Sequence, residues 1–231
     1  VRVGVIYTEG ADTYIAGIRR GLAAAGIRDV ETFQHGPTNQ ETSSGMSAAV
    51  LQFRSAGVTH ILMETAGPVL FFLPTAENQG YRPRYGFSSL NGPAALQETG
   101  ALPPRQFVGS MGAGSSPLTD VGNQPGDLSS AQAACRKIMK DAGQDMSSAT
   151  AFLYMVIACD GFNLIKAALE RSKTPNAAGL RSGMEALGTS FVSATIPSMA
   201  WAPGRYDAVA AVRDFVYRDG RFHYVGGLHQ V

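Results

Sequence analysis

The chain has 231 residues, 45% hydrophobic and 16% charged, enough apolar content to bury one large core or two modest ones and too much for a disordered chain. Its 19 basic and 18 acidic residues are scattered and leave a formal net charge of +1, so the clustered positive face of a nucleic-acid binder is missing and nucleic acid is excluded as a partner. The most apolar stretch, 149–165, is interrupted by Asp160 and Asn163, which argues against a bilayer span, and Val1 already sits in a strand pattern with no secretory leader pattern around it.

The first hundred residues repeat one supersecondary unit. Arg2–Tyr7 reads as a buried strand, and Asp12 caps a helix that carries Ile15, Ile18, Leu22 and Ala25 on one face and ends at Gly26. Asp29–Gln34 is a second strand, and the helical stripe Met46, Val50, Phe53 after it stops at Gly57. The run "VTHILMET" (58–65) suits a strand buried on both faces, and Pro68 opens a helix that closes at Gly80. A fourth strand, "RYGFSS" (84–89), leads into "LNGPAALQET", and "QFVGS" (106–110) is the fifth. Alternation near the roughly 30-residue spacing of a βαβ unit predicts an α/β fold, a doubly wound parallel sheet with helices on both faces.

After Ser110 the pattern changes. "GSMGAGSSPLTDVGNQPGD" (109–127) is rich in Gly, Ser and Pro and reads as a loop or crossover. Three helices without strands of their own follow: "SSAQAACRKIMKDAG", the long "SSATAFLYMVIACDGFNLIKAALERS", and "NAAGLRSGMEALG". The chain then turns to β structure, with Asp219-Gly220 between two strand patterns as the dipeptide that favours a type I′ hairpin.

Catalytic signatures are missing. The sequence has no G-x-S-x-G elbow, no H-E-x-x-H, no P-loop lysine motif and no G-x-G-x-x-G after the first strand. Gly109–Gly114 imitates a phosphate loop but follows a strand without opening a helix. His35, His60, His223 and His229 show no metal-ligand spacing and read as strand-edge or surface residues, so no metal and no cofactor is expected. Cys135 and Cys159, the two cysteines, each lie in a helical pattern. They are either two buried free thiols or a disulfide between packed helices, and the second reading would imply an oxidising compartment.

Chemistry therefore favours binding over catalysis. In an open α/β sheet, ligands bind beyond the carboxyl ends of the strands. Three such ends are polar here: "TEGADT" after the first strand, "ETAGP" after the third and "SSLNGP" after the fourth. Helix N-termini there suit a carboxylate or another acceptor, although the same residues also serve as ordinary caps and turns.

Four stretches, "VGVIYTEGADTYIAGIRRGLAAAGI", "AAVLQFRSAGVTHILMETAGPVLFFLPTAENQGYRPRYGFSS", "ACDGFNLIKAALERSKTPNAAGLRSGMEAL" and "MAWAPGRYDAVAAVRDFVYRDGRF", carry a resemblance by their order and spacing. They resemble the second half of the type I periplasmic solute-binding proteins, in particular the branched-chain amino acid receptors of ABC transporters. The resemblance implies two α/β lobes clamping a small solute, with residues 1–116 as lobe two, 117–200 as the returning helical part of lobe one, and 201–231 as a crossover and terminal hairpin rejoining lobe two. The amino-terminal sheet of lobe one has no counterpart in these residues. The implied ligand contacts are Thr8, Glu9 and Gly10 after the first strand, Glu64, Thr65, Ala66 and Gly67 after the third, and Ser88 and Ser89 after the fourth. Amino-acid receptors of the family hold the ligand's ammonium with an acidic residue after the fourth strand. Ser89 stands there, which leaves Glu64 or Glu9 as substitute charges.

The implied function is the extracytoplasmic solute-binding component of an ABC importer, in the periplasm or as a membrane-anchored lipoprotein, partnered by the transporter's membrane subunits. A ligand-sensing domain of the same fold and an α/β enzyme are the alternatives. Loss of the lobe-one sheet would also expose an apolar patch along Phe152, Val156 and Leu164 and drive self-association.

Overall fold

In the computed structural model, β-branched and aromatic residues at the start of the chain form β1 (Val3–Thr8), and α1 (Asp12–Ala24) follows after a four-residue-class turn through Gly10 at φ +86°. Residues 1–122, 128–205 and 207–231 are described, Ala149 by its backbone only. The alternation continues through β2 (Val30–His35), α2 (Asn39–Ser55), β3 (His60–Met63), α3 (Ala66–Asn78), β4 (Arg84–Phe87), α4 (Pro93–Glu98) and β5 (Met111–Gly114). The short α5 (Pro117–Asp120) then leads to α6 (Ser130–Asp141), α7 (Ala149–Ser172) and α8 (Ala177–Leu187), and the chain ends in β6 (Ala211–Arg218) and β7 (Arg221–Gln230).

The seven strands form one sheet of order β2-β1-β3-β4-β5-β6-β7. β1 to β5 pair in parallel, whereas β6 joins β5 and β7 joins β6 antiparallel. The two faces carry different loads. On one, Ile6, Ile61, Tyr85 and Phe87 pack under Phe53 of α2 and Phe72 of α3 in the main core. On the other, Val3 and Val5 pack against Ile15 of α1. This is the doubly wound α/β sheet that the alternation predicts.

A second apolar core gathers Leu118 of α5, Cys135 of α6, Phe152, Val156 and Cys159 of α7, and Ala194. Cys135 and Cys159 are joined in a disulfide, so the open choice between thiols and a bridge resolves to the bridge. Gly183 lets α8 lie directly on α7, since a Cβ there would fall 1.9 Å from the carbonyl oxygen of Ala168.

Several expectations are corrected. The fifth strand is Met111–Gly114, not "QFVGS": Pro103 and Pro104 start a 3₁₀ turn over Pro104–Phe107, and Gly109 reverses the chain at φ +79° before pairing begins. Part of the segment read as a loop is thus strand and short helix, and residues 123–127 of it lie outside the described residues. Ala11, not Asp12, is the N-cap of α1 and makes no side-chain cap bond, so Asp12 is the first helical residue. β3 is not buried on both faces, because Leu62 on the α1 side is half-exposed while Ile61 and Met63 are buried. His35, which ends the edge strand β2 as the sequence reading allows, is nevertheless buried, 7% exposed, with Nδ1 shared between Gly36 O and the Thr42 hydroxyl.

The expected exposed patch is also wrong in its residues. Phe152 and Val156 share a helical face with Cys159, which the disulfide turns toward α6, and both are buried. The apolar side chains left exposed on α7 are Tyr154, Ile157, Phe162 and Ile165. Contrary to the sequence expectation, Thr150–Ser172 is long and apolar enough to cross a membrane by length and composition, since Asp160 and Asn163 interrupt it too little. In the fold Asp160 is buried and accepts from Ser193 Oγ, Ala194 N and the Thr195 hydroxyl.

Candidate functional site: the crevice at the carboxyl ends of the strands

The parallel sheet reverses its winding between β1 and β3, with β2 reached on one side and β4 on the other. Connections leave such a point in opposite directions and open a crevice between them. Thr8 ends β1, Glu64 to Gly67 follow β3 into α3, and Ser88 and Ser89 follow β4, so the fold gathers these predicted residues at one end of the sheet.

The loops are tied to one another. The backbone N–H of Thr8 donates to Glu64 Oε2 at 2.7 Å, joining the first loop to the second. Asn91 joins the second to the third: its Nδ2 donates to the carbonyls of Met63 (2.9 Å) and Thr65 (3.2 Å), and its Oδ1 accepts from the Ser88 N–H at 2.7 Å. Ser89 turns away from this set, its Oγ accepting from the N–H groups of Ser115 (2.8 Å) and Ser116 (3.2 Å) beyond β5. Glu9 and Gly10 are exposed, with the Glu9 N–H given to the carbonyl of His35.

Two groups give the crevice its electrostatic character. Thr65 is the N-cap of α3 and makes no side-chain cap bond, so the N–H groups of Ala66 and Gly67 and the positive end of the helix dipole are not taken up by a cap at the start of α3. Glu64 is the half-buried carboxylate one residue before that cap. Tyr14 of α1 feels it: burial, and then the Glu64 charge, push the phenol up to about 12, which keeps it a protonated donor. The crevice thus offers an acceptor and donors within one short segment.

Sequence reading did not find Asn91, Tyr14 or the Ser115–Asp120 segment. Asn91 was visible only as part of the polar strand end "SSLNGP", and Tyr14 only as a residue of the first helix. A trough of about 630 Å³ runs along the α1 face of the sheet between Ile18, Leu22, Leu62, Met111 and Val216 and meets the crevice at Tyr14, Ser88 and Asn91. Among the described residues no group of three His, Cys, Asp or Glu side chains is arranged to hold a metal ion.

Similarity to known proteins follows the fold. No curated protein sequence matches the chain. Among solved structures it superposes on a branched chain amino acid ABC transporter protein from Thermus thermophilus with bound valine, at a TM-score of 0.67 and 16% identity, covering 100% of this chain and 61% of that one. A fatty acid ABC transporter substrate-binding protein from Thermomonospora curvata matches at a TM-score of 0.65 and 16% identity, with 100% and 57% covered. A type 1 periplasmic binding protein from Bordetella pertussis Tohama I gives 0.65 and 16%, with 100% and 61% covered. This chain therefore spans about three-fifths of the length of those structures. At such identity the likeness establishes the fold, and the family comes from the sequence profile, which matches residues 2–215. The chain belongs to the periplasmic binding protein family.

Proposed function

We propose that the chain is the greater part of a solute-binding component of an ABC importer, taking a small polar solute, an amino acid or a related compound, in the crevice beyond β1, β3 and β4. The observation that carries this reading is the hydrogen-bonded linkage of Thr8 to Glu64 and of Thr65 to Ser88 through Asn91, beside the uncapped start of α3. A preformed, mutually braced set of donors with one carboxylate suits a ligand bearing both an acceptor and a donor group. Family membership and the transporter proteins among the fold neighbours support the same reading.

The two apolar cores support reading residues 1–116 and 201–231 as one lobe and 117–200 as part of another, hinged to it. The Cys135–Cys159 bridge supports an extracytoplasmic site of action, where disulfides persist, and the transporter's membrane subunits would be the partner. Binding to the folded state raises its stability by mass action. A thermal-shift screen of amino acids, amides and small carboxylates is expected to give one stabilising class, which Glu64→Ala abolishes. A screen with no hit, or hits that Glu64→Ala leaves unchanged, overturns the reading.

A further inference from the structure

The loop after β4 carries two adjacent serines with different partners. Ser88 bonds to Asn91 and so to the crevice, its N–H at 2.7 Å and its hydroxyl at 3.2 Å from Asn91 Oδ1. Ser89 bonds the other way. A hydroxyl has one proton and two lone pairs. The lone-pair side of Ser89 accepts from the N–H groups of Ser115 (2.8 Å) and Ser116 (3.2 Å). Both lone pairs are thus taken up by the segment beyond β5.

Asp120 is the hub on the far side. It is fully buried, and its carboxylate accepts from the Ser116 N–H (3.0 Å), the Tyr224 hydroxyl of β7 (2.8 Å) and the Thr119 hydroxyl (3.3 Å). It lies so close to β5 that a Cβ on Gly114 would fall 2.2 Å from Oδ2. The segment it holds is the point where the chain leaves the sheet: Leu118 packs in the second core and Val121 in the main one.

We propose that Ser89 and Asp120 are positioning residues that clamp the departing segment 115–121 to the loop after β4, so that a shift of Ser88 at the crevice is passed through one peptide bond to the joint between the two cores. This deepens the reading of the crevice as a solute site, and it changes the role of Ser89 from ligand contact to mechanical link.

The test reads backbone amide hydrogen exchange in the 231-residue chain without solute. In Ser89→Ala the amide of Ser115 is expected to exchange at least about tenfold faster, while those of Ser116, Thr8 and Ala194, held by Asp120, Glu64 and Asp160, keep their protection. Ser89→Thr, which retains the hydroxyl, is expected to restore protection. Ser89→Cys, similar in size with a weak acceptor, is expected to behave like Ser89→Ala and serves if that variant does not fold. Ser88→Ala is expected to quicken the Ser115 amide severalfold through the shared backbone. Unchanged exchange at Ser115 in Ser89→Ala and Ser89→Cys, or no rescue by Ser89→Thr, overturns the clamp. Unchanged exchange in Ser88→Ala overturns the transmission. A solute screen without a hit would overturn the proposed function and leave the clamp to be decided by these amides.

Discussion

The backbone N–H of Thr8 and the carboxylate of Glu64 meet at 2.7 Å across the point where the sheet reverses its winding. Charge-assisted bonds of this kind, partly shielded from water, are worth more than neutral ones. Glu64→Ala is expected to cost about 1.5 kcal/mol in a urea titration, and Glu64→Gln, which keeps an acceptor, about half of that. Equal losses for the two variants would mean that packing rather than the bond holds the loops together.

Asp160 makes a second and more deeply buried tie. Its carboxylate accepts from the Ala194 N–H at 2.7 Å, the Thr195 hydroxyl at 2.7 Å and the Ser193 hydroxyl at 2.5 Å, fastening the loop after α8 to the middle of α7. Asp160→Ala strands a buried N–H and two hydroxyls at once, and a loss of about 3 kcal/mol is expected by denaturant unfolding. A loss under about 1 kcal/mol would show that water takes over these donors.

How far the sequence revealed this fold depends on the period of each pattern. α2 was legible because Met46, Val50 and Phe53 recur at helical spacing, and the Asp219-Gly220 turn because both residues adopt positive φ, 51° and 80°. β5 was not, since Met111–Gly114 contains two glycines and no alternation, and its place is fixed by pairing with β4 and β6. The loops of the site were legible as strand ends. What each residue does there was not: Ser88 and Ser89 are identical and adjacent in sequence, and only their partners, Asn91 and the Ser115–Ser116 amides, separate them. The exposed face of α7 was misjudged for a related reason, because its apolar residues spread over a wider arc than the one that the Cys159 bridge turns inward, leaving Ile157 and Ile165 exposed.

The bridge itself has a measurable weight. Both cysteines are buried and 24 residues apart in sequence. Closing a loop of that size removes unfolded-state entropy worth about 3 kcal/mol. The Cys135→Ala/Cys159→Ala double variant is expected to lose that much. Thiol titration of the native chain should find no reactive sulfhydryl before unfolding and reduction, and two afterwards. Two reactive thiols in the native, unreduced protein would refute the linkage.

Gly183 tests the packing of α8 on α7. A Cβ at this position would fall 1.9 Å from the carbonyl oxygen of Ala168, a backbone atom that cannot rotate away. Gly183→Ala would gain helix propensity yet force the two helices apart, and a net loss of about 2 kcal/mol is expected. A variant more stable than the parent would show that the helices do not approach so closely.

Acid stability should turn on Glu77. Its carboxylate accepts from Arg82 Nη2 at 2.7 Å and Nε at 3.0 Å, and from Gln106 Nε2 at 2.8 Å. The Arg82 bonds first, and then the Gln106 bond, hold its pKa down at about 2, against an ordinary value of 4.5. The folded group is the stronger acid, so as pH falls the unfolded chain takes up the proton first. The stabilisation is complete above pH 4.5 and is lost as pH drops toward about 2. Urea midpoints measured across that window should fall more steeply for the wild type than for Glu77→Gln, the two curves converging at the acid end. Parallel curves would show that the Arg82 and Gln106 bonds do not distinguish the charged carboxylate from a neutral amide.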